Sequence, residues 1–437
     1  MQSMFSKLSR MSSLWLLLIT ATGFAQNNTE EFIANGLKVI LRQTQKETLV
    51  MSMYFRGGSS NYSPANAGIE SLALSGIIEC GTAKYPASDF NDQTDEYGLH
   101  LAGDAANDYG LVKLSCISRY TDEAWKLFSS AISSPVFEKQ KFNLLKEQKI
   151  NDLKEGLSTP DTRLKLLAQE YAFAATPYAI NPEGTVASLE ALNRDAVKDY
   201  YYNTLLNRNR MFLVVAGNIT KEDLEKKVLE AFASIPAKEY KPAVVENTLF
   251  TKETYKIESR PIATNYVAGI LNAPGLNSPE YPAFRLAVTI LNSALYDVIR
   301  LKKHLSYAPS ASMSEGKISY VTMYASTTQP GETVKAMRTV LSYIKGKTYP
   351  DKLMDNIRKG NLLYHAKQQE IMSDIANELG KAEIMGDWKL AENLAERMSM
   401  VTPEEMKLVL NTYTKNITWT YIGDKGLGEQ SFNAKQD

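Results

Sequence analysis

The chain has 437 residues, with 49 Lys+Arg against 49 Asp+Glu, 44% apolar and 22% charged residues. This composition excludes a disordered, collagenous or coiled-coil protein and leaves room for about two to four domains. Zero net charge without a basic block excludes a nucleic-acid footprint. The three histidines, His100, His304 and His365, include no pair at the i,i+4 spacing of a helical zinc motif.

Residues 1–25 read as an export leader. Lys7 and Arg10 precede the apolar run Leu14 to Ile19, and Gly23 and Ala25 sit before a cut at Gln26. The run is too short to span a bilayer comfortably, and no cysteine follows the cut to carry a lipid. The expected mature protein is exported, to the periplasm, with no transmembrane anchor. In an oxidising compartment Cys80 and Cys116 are candidates for a disulfide, or for two buried thiols packed as small apolar groups.

The mature start predicts a hairpin, with Phe32–Ala34 and Leu37–Leu41 flanking the type I′ turn signal Asn35-Gly36. A strand at Leu49–Phe55 leads to a helix over 67–80, where Ile69, Leu72, Ala73, Gly76, Ile77 and Cys80 recur at three- and four-residue steps. Strands at Gly98–Ala102 and Tyr109–Ser118 precede helices at Asp122–Ser133 and Glu138–Leu157, the second stopped by Ser158-Thr159-Pro160. Residues 185–206 read as helical. Met211–Gly217 reads as an apolar strand and Lys221–Ser234 as a helix capped by Thr220.

Residues 236–248, with Pro236 and Pro242, read as a linker between domains at 26–235 and 249–437. The second domain repeats the order of the first. Strand Tyr266–Leu271 and helix Tyr281–Leu301 are followed by strand Lys317–Ser326 and helices Thr333–Lys345 and Asp351–Glu370. Tyr109 maps onto Tyr320, a shift of 211, and Pro135 onto Pro350, a shift of 215. The near-constant shift predicts an internal duplication. The expected class is α+β: two tandem homologous domains, each a largely antiparallel sheet with helices packed on it, arranged like a clamshell.

The motif Phe32-x-x-Asn35-Gly36-Leu37-x-Val39-x-Leu41 resembles the opening hairpin of the insulinase, pitrilysin and mitochondrial-processing-peptidase family of zinc peptidases. Pro177-Tyr178, Gly184-Thr185, Leu189 to Tyr201, Val214 to Ile219, Arg300 and Leu305-Ser306-Tyr307 resemble later landmarks of that family, in order. Active members carry His-x-x-Glu-His about nine residues before a Gly-Thr, the histidines holding zinc and the glutamate activating water. Counting back from Gly81-Thr82 places those three positions at Leu72, Ser75 and Gly76; a shift of one gives Ser71, Leu74 and Ser75. The third ligand falls near Asp152. Neither register supplies a ligand set. The expectation is therefore a chain that binds no metal itself.

The resemblance also implies that Arg300 and Tyr307, seven residues apart, hold the substrate backbone and the reacting carbonyl of a zinc site brought by another subunit. The implied partners are a zinc-bearing paralogue, forming a heterodimer, and unfolded or short peptides that add a strand to a sheet edge. A pseudo-enzyme that binds peptides or supports the envelope, with no peptidase partner, is the alternative. The remaining residues of interest carry weaker signals. Ser59-Ser60 lacks a nucleophile elbow, and Tyr200-Tyr201-Tyr202 reads as packing.

Overall fold

The computed structural model describes residues 29–246 and 249–433; the expected leader lies outside the described residues. In chain order the first half contains β1 (Thr29–Ala34), β2 (Leu37–Gln43), β3 (Thr48–Arg56), α1 (Ile69–Glu79), α2 (Ala87–Glu96), β4 (His100–Ala105) and β5 (Tyr109–Ile117). It continues with α3 (Thr121–Ser133), α4 (Lys139–Ser158), α5 (Pro160–Ala172), α6 (Val186–Ala191), α7 (Arg194–Tyr200), β6 (Met211–Gly217) and α8 (Lys221–Phe232). The second half holds β7 (Thr254–Ser259), β8 (Asn265–Asn272), α9 (Tyr281–Leu295), β9 (Ser310–Ser314) and β10 (Tyr320–Thr327). Helices α10 (Pro330–Gly346), α11 (Asp351–Gln368) and α12 (Met372–Ile384) follow, and β11 (Thr418–Gly423) closes the second sheet.

The two sheets share one order of five strands, to which the first adds β1 at its edge. The first runs β1-β2-β6-β3-β5-β4 and the second β7-β11-β8-β10-β9. Each has a single parallel pair, β2 with β6 and β7 with β11, and all other neighbours are antiparallel. Tyr109 and Tyr320 open equivalent strands, as the shift predicts. The fold is α+β with a duplicated sheet. Between Phe232 and Thr254 the described residues form neither helix nor strand.

Local chemistry explains most elements. Asn35 and Gly36 both have positive φ, 49° and 78°, which the type I′ turn requires. Strand β6 reads as an unbroken apolar run, and β3 as one interrupted only by the buried Ser52, because both faces are covered. Met51, Met53, Phe55, Leu213 and Val215 enter the core of the first half. Val50, Tyr54, Phe212 and Val214 face the opposite way, into a core shared with the second half. The expected helix over 185–206 is broken: Leu192 is extended and the Asn193 side chain accepts from the Ala196 N–H to cap a new start. A wide turn at Tyr201–Leu205 ends the segment.

The second face of each sheet is covered by a helix from the other half. Helix α5 packs on β8 and β11, while its topological equivalent α12 packs on β3 and β6. Gly380 of α12 lies flat on Tyr54, whose Cζ is 2.2 Å from where a Cβ would stand. Tyr54 in turn stacks on Phe212 with ring centroids 4.9 Å apart. Around this contact Lys38 Nζ donates to Glu383 Oε2 at 2.9 Å, and the Arg56 guanidinium pairs with the same carboxylate. On the other side Arg163 Nε donates to Glu258 Oε2 at 2.7 Å. Leu164 and Leu167 bury against Ala268 and Ile422. The halves are interlocked by reciprocal exchange rather than merely linked.

Candidate functional site

Helix α1 carries the positions where a zinc motif would stand. Leu72 is fully buried in the core. The Ser75 hydroxyl donates to the Gly103 carbonyl of β4 at 3.3 Å. Gly76 faces the Phe137 ring, with Cε1 2.8 Å from an ideal Cβ, so the site has no volume for an imidazole. Asp152 is exposed on α4. The α4 residue that hydrogen-bonds to α1 is Lys149, three residues earlier. Its ammonium donates to Ser71 Oγ at 2.8 Å and to Glu183 Oε2 at 3.2 Å, while Ser71 Oγ donates to the same Glu183 oxygen at 2.6 Å.

A fixed ammonium therefore joins α1, α4 and the loop before α6. It also lies near enough to Glu79 and Asp104 to favour their charged forms, although burial is the larger effect and raises both carboxyls above the ordinary range. Among the described residues no group of three or more His, Cys, Asp or Glu side chains is placed to hold a metal ion.

Glu70, the second residue of the same helix, is fully buried. Its Oε2 accepts from Tyr200 Oη at 2.6 Å and Asn61 Nδ2 at 3.0 Å, and its Oε1 has no partner. Burial pushes this carboxyl up against the two hydrogen bonds and the nearby Arg210 charge. Tyr201 and Tyr202 donate to the Ile132 and Pro135 carbonyls, so the tyrosine triplet is a packing device. Ser59 is equally structural: buried, with its hydroxyl on the Pro177 carbonyl at 2.9 Å. Cys80 and Cys116 are buried free thiols and form no disulfide with each other.

Arg300 lies in a wide turn at Tyr296–Lys302 that continues α9. Its guanidinium stacks over the Tyr307 ring at 4.1 Å and the Tyr296 ring at 4.9 Å from the centroids. Tyr307 is 77% exposed. Among the described residues Arg300 makes no salt bridge. The structure brings Arg300 and Tyr307 together but records no hydrogen bond or stacking between them and α1 or α4. His304, between them, is exposed and has φ 53°. His100 is exposed at the start of β4, and His365 is half-buried, its imidazole pushed towards the neutral form by burial and by nearby Arg285.

Sequence reasoning missed Lys149. A lysine on a helix that also carries Lys139, Lys141, Lys146 and Lys154 reads as part of a solvated face, and only its tertiary partners set it apart.

Residues 191–361 match the family model described as "Peptidase M16 inactive domain". That segment is similar to a peptidase M16 inactive domain. Solved structures agree over nearly the whole chain. An M16 inactive domain from Pseudomonas fluorescens superposes with TM-score 0.81 at 18% identity, covering 91% of this chain and 98% of that one. A structure described as a protease from Helicobacter pylori gives TM-score 0.83 at 14% identity, covering 91% and 99%. The periplasmic protease PqqL from Escherichia coli matches at TM-score 0.76 and 14% identity, over 91% of this chain but 46% of that one.

Two characterised relatives align in sequence. One is cytochrome b-c1 complex subunit 1 of Saccharomyces cerevisiae, 24% identical over 60% of this chain and 56% of its own length. The other is the Helicobacter pylori "Non-peptidase homolog YmxG", 21% identical over 85% and 88%. The match thus spans little more than half of the yeast subunit and about half of PqqL. The resemblance read from the motifs is borne out, and the inactive M16 domain is similar to proteins that include a named non-peptidase.

Proposed function

We propose that this chain is the non-catalytic member of an exported M16 peptidase pair. It brings Arg300 and Tyr307 to a chamber shared with a zinc-bearing paralogue that degrades unfolded or short peptides. The observation that carries this reading is the contrast between the two equivalent places in the duplicated fold. Around α1 the groups that would handle metal are replaced by a closed contact of Ser71, Lys149 and Glu183. Beyond α9, Arg300 is held by two aromatic faces with no carboxylate neutralising it. Stacking fixes the plane of the guanidinium and leaves its edge donors for carbonyl oxygens, and the exposed Tyr307 hydroxyl is free to donate to a developing oxyanion.

The site here is arranged for binding, and the bond-breaking water belongs to the partner. Exported, periplasmic placement follows from the leader-like residues 1–25 and agrees with the likeness to a periplasmic protease. Among the described residues no helix is long and apolar enough to cross a membrane. The test is Arg300→Ala in the assembled pair. Cleavage should fall by about a hundredfold to a thousandfold, the effect of removing one preorganised donor to a developing oxyanion, with the thermal transition unchanged. Unchanged turnover would remove Arg300 from the site.

A second reading is a peptide-binding or scaffold protein with no peptidase partner. It is favoured by the non-peptidase relative that aligns along most of the chain. Peptide binding by the isolated chain, with no paralogue co-purifying, selects it.

A further inference from the structure

Past α9, the wide turn Tyr296–Lys302 and the residues after it carry more positive charge than their surroundings balance. Arg300, Lys302, Lys303 and His304 follow one another closely, and Asp297 is the one carboxylate between Tyr296 and Tyr307. Helices α9 and α10 pack against the turn. Helix α9 has no acid, and α10 has one, Glu332, against three cations. Among the described residues, Arg300, Lys302, Lys303 and His304 form no salt bridge and donate no side-chain hydrogen bond. Lys302, Lys303 and His304 are exposed, as are the apolar side chains of Tyr296 and Leu301.

Cations at a helix end ordinarily serve its last carbonyls. Here the backbone itself satisfies two of them. Lys303 N–H donates to the Val298 carbonyl at 3.0 Å, and Leu305 N–H to the Ile299 carbonyl at 2.8 Å. The second bond closes the chain around His304, whose φ is 53°. Glycine adopts that conformation at a helix end without steric cost, and a residue with a side chain does not. A histidine held there points to a use for its imidazole. Ser306 is a further unspent group in the same segment: it is 7% exposed, and its buried hydroxyl has no partner.

Spacing sets where the cations stand. Tyr296, Arg300 and Lys303 follow at four- and three-residue steps, which places them on one face. The Arg300 guanidinium, 4.9 Å from the Tyr296 ring centroid, agrees with that placement. Stacked between two rings, Arg300 presents the edge of a planar fork; each ammonium brings three donors and the imidazole at least one more. The chain supplies acceptors for none of these side chains. A carboxylate, with two oxygens and a full negative charge, matches such a set.

We propose that Lys302, Lys303 and His304 form a specificity subsite for a carboxylate of the peptide held by Arg300 and Tyr307. In a peptide that carboxylate is an Asp or Glu side chain or the free C terminus. The inference deepens the proposed function and rests on its reading of Arg300 and Tyr307 as peptide-binding groups.

The experiment uses the full mature chain and two matched sets of labelled peptides, with binding read by fluorescence anisotropy. One set is capped Ala/Ser decapeptides bearing a single glutamate or a single glutamine at successive positions. The other compares a free with an amidated C terminus. In one set the carboxylate member should bind about fivefold tighter than its neutral mate, the product of two exposed charge contacts of a few-fold each. The set that shows the preference identifies the source of the carboxylate. The preference should shrink in about 0.5 M salt. Lys302→Gln combined with Lys303→Gln should bring the ratio near one, whereas arginine at both positions should keep it. His304→Gly should raise the melting temperature and lower the ratio together. Equal binding within both sets by the wild-type chain, or a preference that survives the glutamine pair, overturns the subsite and leaves the Arg300 reading standing. If no peptide of either set binds, the reading of Arg300 and Tyr307 falls and the subsite falls with it.

Discussion

Replacing Lys149 with methionine keeps the length and apolar stem of the side chain and deletes only the ammonium. In the structure the Lys149 side chain is 18% exposed, and its ammonium binds the hydroxyl of the fully buried Ser71. A hydrogen bond from a charged donor to a buried hydroxyl contributes about 1.5 kcal/mol. The pairing with Glu183, whose side chain is 45% exposed, is screened by solvent and adds only about 0.5 kcal/mol. The expected loss is therefore about 2 kcal/mol near neutral pH. With a urea slope of about 2 kcal/mol per M, the unfolding midpoint falls by about 1 M.

The pH dependence of this loss has a definite sign. Glu79 and Asp104 already have raised carboxyl pKa values in the folded chain, and Lys149 holds them lower than burial alone would. Without it their folded pKa values rise further above the unfolded values of 4.5 and 3.8. A raised carboxyl costs stability as pH climbs above the unfolded value, because the folded state then binds more protons than the unfolded one. The penalty of Lys149→Met should be smallest below about pH 4 and grow to its full size as these carboxyls ionise. Urea titrations of both proteins at acidic and neutral pH decide the matter. A midpoint unchanged at neutral pH, or a loss equal at both, refutes the idea that this ammonium balances the charge of Glu79 and Asp104 beside α1.

Two further outcomes follow from α1. Glu70→Gln removes a buried carboxylate whose Oε1 has no partner, and should stabilise the chain by about 1 kcal/mol at neutral pH. That gain should shrink as pH falls through and below 4.5, where the wild-type carboxyl becomes protonated in both states; equal melting curves across this range would contradict it. Grafting the zinc motif as Leu72→His, Ser75→Glu and Gly76→His should lower stability by several kcal/mol, since Phe137 already occupies the space beside Gly76. Tight zinc binding by a well-folded graft, read by isothermal calorimetry, would show that the site retains more than the geometry indicates.

How much was legible in the sequence depended on which surfaces decide an element. The Asn35-Gly36 hairpin, β3, β6 and the equivalence of Tyr109 with Tyr320 were readable because local chemistry or apolar content alone specifies them. The two exchanged helices were not. Ser158-Thr159-Pro160 reads as a stop, yet Pro160 stands at the first position of α5, where its missing N–H costs nothing. Helix α12 gains its meaning from Tyr54 and Phe212, some three hundred and one hundred and sixty residues away, and no periodicity reports that. Strand β9, Ser310–Ser314, alternates serine with Ala311 and Met313, but five residues with only two apolar side chains are too short a run to mark a strand.

At the site, the spacing of Arg300 and Tyr307 was readable, as was the lack of a ligand set at Leu72, Ser75 and Gly76. The Lys149 contact was not, because its partners come from α1 and from the loop before α6.

The most direct test of the central claim is recovery of the tagged mature chain from envelope extracts of its source, followed by zinc analysis and fluorogenic-peptide cleavage on the eluate. The account predicts a co-purifying paralogue that contains His-x-x-Glu-His, about one zinc per pair, cleavage by the mixture, and none by this chain alone. A metal-bearing, peptide-cleaving preparation of this chain by itself would contradict it.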